Sequence, residues 1–266
     1  MKILFTHGGF VVFSKKWVYK FSFGSRVRQL YNQQNRFYIE SNKEYLLHFQ
    51  LIFLSNFILI YKEHVFCFQD EILISQKSIF SSYSKLVNEN IRMINKLNSG
   101  TFLQNNFYKL RNKKYKLKIC DIINEINTKT NNLNIGLIHG DFWRENILTD
   151  KKHIYFIDYD RSRDYSFIEF DLINFFIFNI VYKEKPHWNN FISITQSILI
   201  KESVYYELID FINEYYPSKN KNDLIIDDLI KLYILKLLYD NNSFLNTFQY
   251  LKWYKYRLKV EKLLWD

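Results

Sequence analysis

The sequence predicts an α+β protein: antiparallel strands near the N-terminus, followed by a larger, mainly helical part. Three observations carry this. Residues 2–6, 10–14 and 17–23 are short runs rich in β-branched and aromatic side chains with turn residues between them, the signature of consecutive strands. Later segments (83–97, 119–126, 168–183, 189–215 and 223–265) instead repeat their apolar residues at helical spacing. Between the second and third of these helical segments, residues 135–160 read as a buried strand, a polar loop and a small hairpin.

Composition narrows the function classes. The chain has 266 residues, enough for a substantial core, and a net charge of +10. That charge suits a phosphorylated ligand or an anionic surface, but the lysines are scattered and no nucleic-acid-binding motif is present. Aromatic residues make up 19% of the chain and alanine is absent. Single tyrosines, phenylalanines or asparagines therefore carry little functional signal. Cys67 and Cys120 sit in apolar surroundings without metal-ligand spacing and read as buried thiols. The longest apolar stretch, 46–61, is interrupted by His48, Gln50, Ser55 and Asn56, so no transmembrane helix is expected. No cleavable signal precedes the first strand, and a cytoplasmic location is expected.

In chain order, Gly8-Gly9 and Ser14-Lys15-Lys16 supply the turns between the first three strands. Residues 25–50 read as mostly helical and include Glu40 and Glu44, one turn apart on one face. Residues 57–61 and 64–68 read as a hairpin turning through Lys62-Glu63. A helix over 83–97 is expected to stop at Gly100, and 101–116 to form a polar, basic loop. Ile119, Ile122, Ile123 and Ile126 mark the next helix, and residues 131–134 break the pattern before the central strand. Three helical segments complete the chain, the second ending near Pro217 and the third opening on Asp227-Asp228, where acids favour the helix dipole.

The central stretch carries the chemistry. Ile135, Leu137 and Ile138 form the strand, and His139-Gly140-Asp141 breaks it. Asn146 follows five residues after Asp141. Residues 147–149 and 154–157 form two short strands around Asp150-Lys151-Lys152, and the second delivers Asp158 at its end. An Asp and an Asn five apart, with a hairpin returning a second Asp, suit phosphoryl transfer. The first carboxylate accepts a hydroxyl proton, while the amide and the second carboxylate hold Mg²⁺ against nucleotide phosphates.

H-G-D-x-x-x-x-N followed by I-D resembles the catalytic loop and metal-binding segment of aminoglycoside phosphotransferases and choline/ethanolamine kinases, small-molecule kinases of the protein-kinase-like fold. The continuation I-D-Y-D and the later Phe170-Asp171 extend the likeness to choline-kinase-like proteins. The resemblance implies ATP and Mg²⁺ as cofactors, with Asp141 as catalytic base and Asn146 and Asp158 as metal ligands. Lys20, in Trp17-Val18-Tyr19-Lys20, matches the family's strand lysine for the α- and β-phosphates. An acid should hold that lysine: Glu44, before Leu46-Leu47, is preferred and Glu40 is the alternative. Asp70 and Glu71 fall where the family's inter-lobe hinge binds adenine through its backbone. The resemblance thus implies the two-lobed protein-kinase-like fold, with a small antiparallel β, nucleotide-binding lobe over 1–70 and a larger, mainly helical, catalytic and acceptor-binding lobe over 71–266. His139 and Asp171 would brace the loop. Asp160 and Arg144 are candidates for contact with the acceptor or the transferring phosphate. No G-x-G-x-x-G is present, so His7-Gly8-Gly9 is the one candidate to cover the phosphates.

An amino-alcohol such as choline or ethanolamine is the acceptor expected first, from the segment ending in Phe170-Asp171. A cell-surface or lipopolysaccharide sugar is second, suited to a basic protein with peripheral membrane contact. An aminoglycoside is third, since net +10 gives no sign of the acidic cleft a polycation needs. Trp188, Tyr205, Tyr206, Trp253 and Tyr254 are aromatic candidates for a quaternary ammonium. A kinase fold without turnover, acting as a binding module, is the reading from a different class. The oligomeric state is left open.

Overall fold

The computed structural model of the chain describes residues 2–6, 9–14, 17–24, 27–41, 43–46, 49–64, 75–87, 91–107, 110, 112–149, 153–183, 188–215, 223–240 and 259–260. It divides into two compact units: Met1–Asn90 with His139–Ser162, and Ile91–Ile138 with Arg163–Asp266.

The first unit is built on a five-stranded antiparallel sheet. Its strands are β1 (Lys2–Thr6), β2 (Gly9–Phe13), β3 (Trp17–Phe23), β4 (Phe49–Leu54) and β5 (Ile58–His64), in the order β1-β2-β3-β5-β4. The three N-terminal strands are those the sequence predicts. Gly9 is needed in β2, because a Cβ there would lie 1.6 Å from the Phe21 carbonyl oxygen of β3. Helix α1 (Val27–Glu40) follows β3, then a 3₁₀ turn at Lys43–Tyr45, and α2 (Gln76–Val87) follows β5.

Several boundaries differ from the expected ones. The helix expected over 25–50 stops at Glu40, and Phe49–Leu54 is instead an edge strand paired with β5. Its run of aromatic and aliphatic residues lacks the 3.6 period that would hold it helical. The turn lies at Ser55, whose hydroxyl accepts from the Phe57 and Ile58 amides at 3.2 and 2.9 Å. Lys62 and Glu63, expected to turn, lie inside β5 opposite Tyr19 and Val18 of β3. The helix expected over 83–97 is displaced towards the N-terminus as α2, which starts behind Ser75, whose hydroxyl accepts from the Ser78 amide at 3.2 Å.

The second unit holds a three-stranded antiparallel sheet of β6 (Arg92–Ile94), β7 (Leu133–Ile138) and β10 (Arg163–Phe167), with β7 in the centre. Among the described residues the helices α3 (Ser99–Asn106), α4 (Lys113–Lys129), α5 (Glu169–Lys183), α6 (Trp188–Leu199), α7 (Ser203–Tyr215) and α8 (Asp223–Asp240) accompany it. Part of the expected loop over 101–116 is thus α3. The Asn98 side chain accepts from the Thr101 amide at 2.9 Å and starts the helix, so Gly100 lies inside α3 rather than after a helix. The segment expected as one helix over 189–215 is two, parted at Lys201, whose φ of 56° ends α6. Ile119, Ile123 and Ile126 of α4 are buried, as their spacing implies. Lys129 at the end of α4 reaches Asp228 of α8 at 2.7 Å. Cys120 is a half-buried free thiol of α4, and Cys67 lies outside the described residues. No described helix is long and apolar enough to cross a membrane.

Candidate active site

The motif residues of the central loop all belong to the first unit. There the chain leaves His139, forms a 3₁₀ turn at Arg144–Asn146, and runs through the hairpin β8 (Ile147–Thr149) and β9 (Ile154–Phe156) to Asp158. An aromatic cluster seats the loop. The Phe142 ring stacks on Tyr83 of α2 at 4.1 Å between centroids and packs on Phe156 of β9 at 5.6 Å. Burying three large rings beneath a polar loop fixes its position without using its polar groups.

His139 is fully buried and spends both ring nitrogens on backbone. One, Nε2, lies 2.8 Å from the Ile157 carbonyl oxygen, and Nδ1 accepts from the Asp141 amide at 3.4 Å. This pattern assigns the proton to Nε2 and a neutral ring, and it ties the His139 side chain to the backbone of Ile157 and Asp141. Gly140 carries the turn with φ of 80°, and a Cβ there would lie 2.0 Å from the Arg161 carbonyl oxygen. Only glycine admits so close a backbone crossing.

Asn146 ties the two ends of the loop together. Its side-chain Nδ2 donates to the Asp141 carbonyl oxygen at 2.7 Å, and its own carbonyl accepts from the Ile157 amide at 3.0 Å. With the amide nitrogen so engaged, Oδ1 is the atom left to present to a ligand. Pairing of Ile147 with Phe156 sets the register that brings Asp158 back beside Asn146. Asp158 adopts the left-handed conformation, with φ 61° and ψ 42°, which aspartate tolerates better than most side chains.

Lys20 completes the group from β3. Its Nζ lies 2.8 Å from Asp158 Oδ1, the two side chains being 15% and 40% exposed, and 5.7 Å from the centre of the Tyr61 ring on β5. Residues 138 apart in sequence thus meet in one ion pair. Burial pushes the Asp158 carboxyl up, but the Lys20 ammonium and its hydrogen bond outweigh burial and hold it below the usual carboxylate range.

The other candidates are spread more widely. Arg144 is exposed at the start of its 3₁₀ turn, and Asp160 lies in the turn Tyr159–Arg161, its side chain outside the described part. Asp171 is buried in the first turn of α5 in the second unit. Glu44 is exposed on the turn after α1, and Glu40 pairs with Arg36 at 2.7 Å. Asp70 and Glu71 lie outside the described residues, as do His7 and Gly8. One residue was missed: Arg161, whose Nη1 lies 3.6 Å from Asp141 Oδ1. Its place three residues after Asp158, with Gly140 crossing beside it, is the signal that could have found it.

Chemically, the site offers one carboxylate beside a guanidinium, and a second carboxylate and an amide oxygen beside an ammonium. Asp158 and the Asn146 oxygen are hard donors of the kind Mg²⁺ takes. Among the described residues there is no group of three or more His, Cys, Asp or Glu side chains able to hold a metal alone. These donors fit a cation that takes its remaining ligands from phosphate and water.

Residues 59–204 match the model of the ecdysteroid kinase-like family. Among solved structures the chain resembles a putative fructosamine-3-kinase from Haemophilus somnus, at 13% identity over 99% of this chain and 89% of that one, with a TM-score of 0.53. A second putative fructosamine-3-kinase, from Thermobifida fusca, aligns at 10% identity over 99% and 93% of the two chains, TM-score 0.51. A thermostable mutant of an aminoglycoside phosphotransferase, in apo form, aligns at 9% identity over 99% and 94%, TM-score 0.50. At such identities the likeness is one of fold. No curated protein matches the chain significantly.

Proposed function

The chain belongs to the ecdysteroid kinase-like family, and on that premise we propose that it is an ATP-dependent phosphotransferase acting on a hydroxyl group of a small molecule. The observation that supports this most is the meeting of Lys20, Asp141, Asn146 and Asp158 in one compact unit, with Lys20 Nζ 2.8 Å from Asp158. Asp141 accepts the proton of the acceptor hydroxyl as its oxygen bonds to the γ-phosphorus and the bond to the ADP oxygen breaks. Asn146 Oδ1 and the Asp158 carboxylate would hold Mg²⁺, which when bound spreads the charge of the phosphate oxygens. Lys20 leaves Asp158 to meet the α- and β-phosphates. Arg161 keeps a cation beside Asp141 and is placed to meet the transferring group. Glu44, with Glu40 as the alternative, is the acid that the family resemblance offers as a partner of Lys20. Asp171 is proposed as an outer support of the loop, and Arg144 and Asp160 as contacts at its rim. The hinge at Asp70-Glu71 is proposed to receive adenine, and the division into lobes at residue 70 follows from it.

For the acceptor, the I-D-Y-D segment and Phe170-Asp171 favour an amino-alcohol such as choline or ethanolamine. A sugar is the second reading, favoured by the likeness to two proteins named as putative fructosamine kinases. A panel of choline, ethanolamine, amino sugars, a polyhydroxylated sterol and an aminoglycoside, with γ-labelled ATP and Mg²⁺, tests both. Label transferred to an amino-alcohol alone supports the first reading. Transfer to a sugar alone replaces it. Mg·ATP binding with no transfer to any member favours a kinase fold that serves as a binding module.

A further inference from the structure

We propose that Gln34 of α1 is the residue that positions Lys20 for the nucleotide, a neutral amide in the place where a carboxylate is expected. The proposal rests on the phosphotransfer reading above. Kinases of this architecture hold the strand lysine with an acid from the helix that follows. Here α1, reading VRQLYNQQNRFYIE, has no acid before its last residue. That residue, Glu40, is engaged with Arg36, and Glu44 is exposed one turn beyond.

The buried face of α1 is defined by its contacts. The Phe37 ring stacks on Tyr159 at 5.1 Å and meets His139 edge-on at 5.8 Å. The Gln33 carbonyl accepts from the Ser162 hydroxyl at 3.1 Å. This face is therefore turned to the segment that carries Asp158, the neighbour of Tyr159. Gln34 lies three residues before Phe37, on the same side of the helix. Its side chain is 0% exposed, and neither Nε2 nor Oε1 has a hydrogen-bond partner among the described residues.

A fully buried amide unsatisfied at both ends is an expensive way to fill space, and leucine would fill it without that penalty. A ligand-dependent partner resolves it. In the structure the Lys20 ammonium rests on Asp158. When that carboxylate turns to a metal and Lys20 turns to the phosphates, Gln34 Oε1 is the buried acceptor on α1 for one of its three N–H donors. An amide orients the ammonium without neutralising it, so the full charge of Lys20 is left to the phosphates.

The test is calorimetric titration of the full chain with AMP-PNP and Mg²⁺, alongside thermal unfolding. Gln34→Leu should melt at or above the wild-type temperature yet bind the probe about tenfold more weakly, the scale of one hydrogen bond to a charged group. Gln34→Met, of similar volume, should repeat this, and serves if the leucine variant does not fold. Gln34→Glu should keep affinity within about threefold of wild type, the carboxylate accepting from the same ammonium. On a Lys20→Met background, titrated at raised probe concentration, Gln34→Leu should cost no further affinity. Wild-type affinity in Gln34→Leu and Gln34→Met, or an undiminished loss on the Lys20→Met background, would overturn the assignment and leave Gln34 a packing residue. A wild-type protein that does not bind the probe would overturn the phosphotransfer reading itself.

Discussion

Gly140→Ala is the substitution whose consequence the geometry dictates most closely. Gly140 has φ of 80°, where an L side chain costs about 1–2 kcal/mol. The added Cβ would also stand 2.0 Å from the Arg161 carbonyl oxygen, where ordinary contact begins at 3.4 Å. That oxygen is backbone, so relief requires one of two chain segments to shift by more than an ångström. Overpacking of this kind costs about 1–3 kcal/mol. The two contributions together give about 2–5 kcal/mol, or a drop in melting temperature on the order of 10 °C. Gly100→Ala is the internal control. Its Cβ would meet only Asn98 Oδ1 at 3.4 Å, inside α3, so alanine should be neutral or stabilise by up to about 1 kcal/mol. Urea unfolding of both variants beside wild type reads the difference. A Gly140→Ala protein within about 0.5 kcal/mol of wild type, or less affected than Gly100→Ala, would mean that the loop does not cross Arg161 as described.

Other outcomes follow from the same geometry. Asp158→Ala should lose most of the thermal stabilisation that Mg·ATP confers on wild type; an equal shift in both proteins would remove Asp158 from the ligand site. Arg161→Met should change stability by less than about 1 kcal/mol, since a 3.6 Å pair with a half-exposed arginine is screened by water. It should nonetheless slow phosphoryl transfer about tenfold through misplacement of the reacting groups, and unchanged transfer would leave Arg161 a surface residue. Asp227, in the second unit, gives a pH test away from the site. Burial pushes its carboxyl up, but hydrogen bonds from Lys201, at 2.5 Å, and Tyr205 outweigh this and hold it below its ordinary 3.8. A depressed carboxylate adds stability above its unfolded value that is lost as pH falls through the folded one. The advantage of wild type over Asp227→Asn should thus be full above about pH 4 and shrink below it; a difference flat through that range would contradict the pairing.

The central loop was legible because its geometry is local. Asp141, Asn146 and Asp158 lie on one loop and one short hairpin, so their spacing already states their proximity. Lys20 was legible for another reason, being a lysine inside a strand whose neighbours fit a known pattern. Its 2.8 Å contact with Asp158 was not, since nothing in the sequence pairs two residues 138 apart. The β4–β5 hairpin is hard to read in sequence because Ser55-Asn56 interrupts an apolar stretch without glycine or proline, whereas in the fold Ser55 is the turn residue that joins two strands. At Asn98-Ser99-Gly100 the capping signals point both ways: glycine after an apolar run reads as a helix stop, yet Asn98 is the cap of the next helix. The break at Lys201 was illegible, a left-handed lysine that neither glycine nor proline announces. Nothing in the sequence marks Gln34, because the residue type expected beside Lys20 is an acid.

The most direct test of the central claim is a paired measurement on wild type and Asp141→Asn: affinity for Mg·ATP, and transfer of its γ-phosphate to the acceptor that the wild-type protein phosphorylates in the panel. The amide keeps the shape of the side chain but cannot take a proton from a hydroxyl. The account predicts nucleotide affinity within a fewfold of wild type and transfer reduced by two orders of magnitude or more, about the contribution expected of a positioned base. Transfer near the wild-type rate in Asp141→Asn would contradict it, and so would a wild-type protein that binds no Mg·ATP.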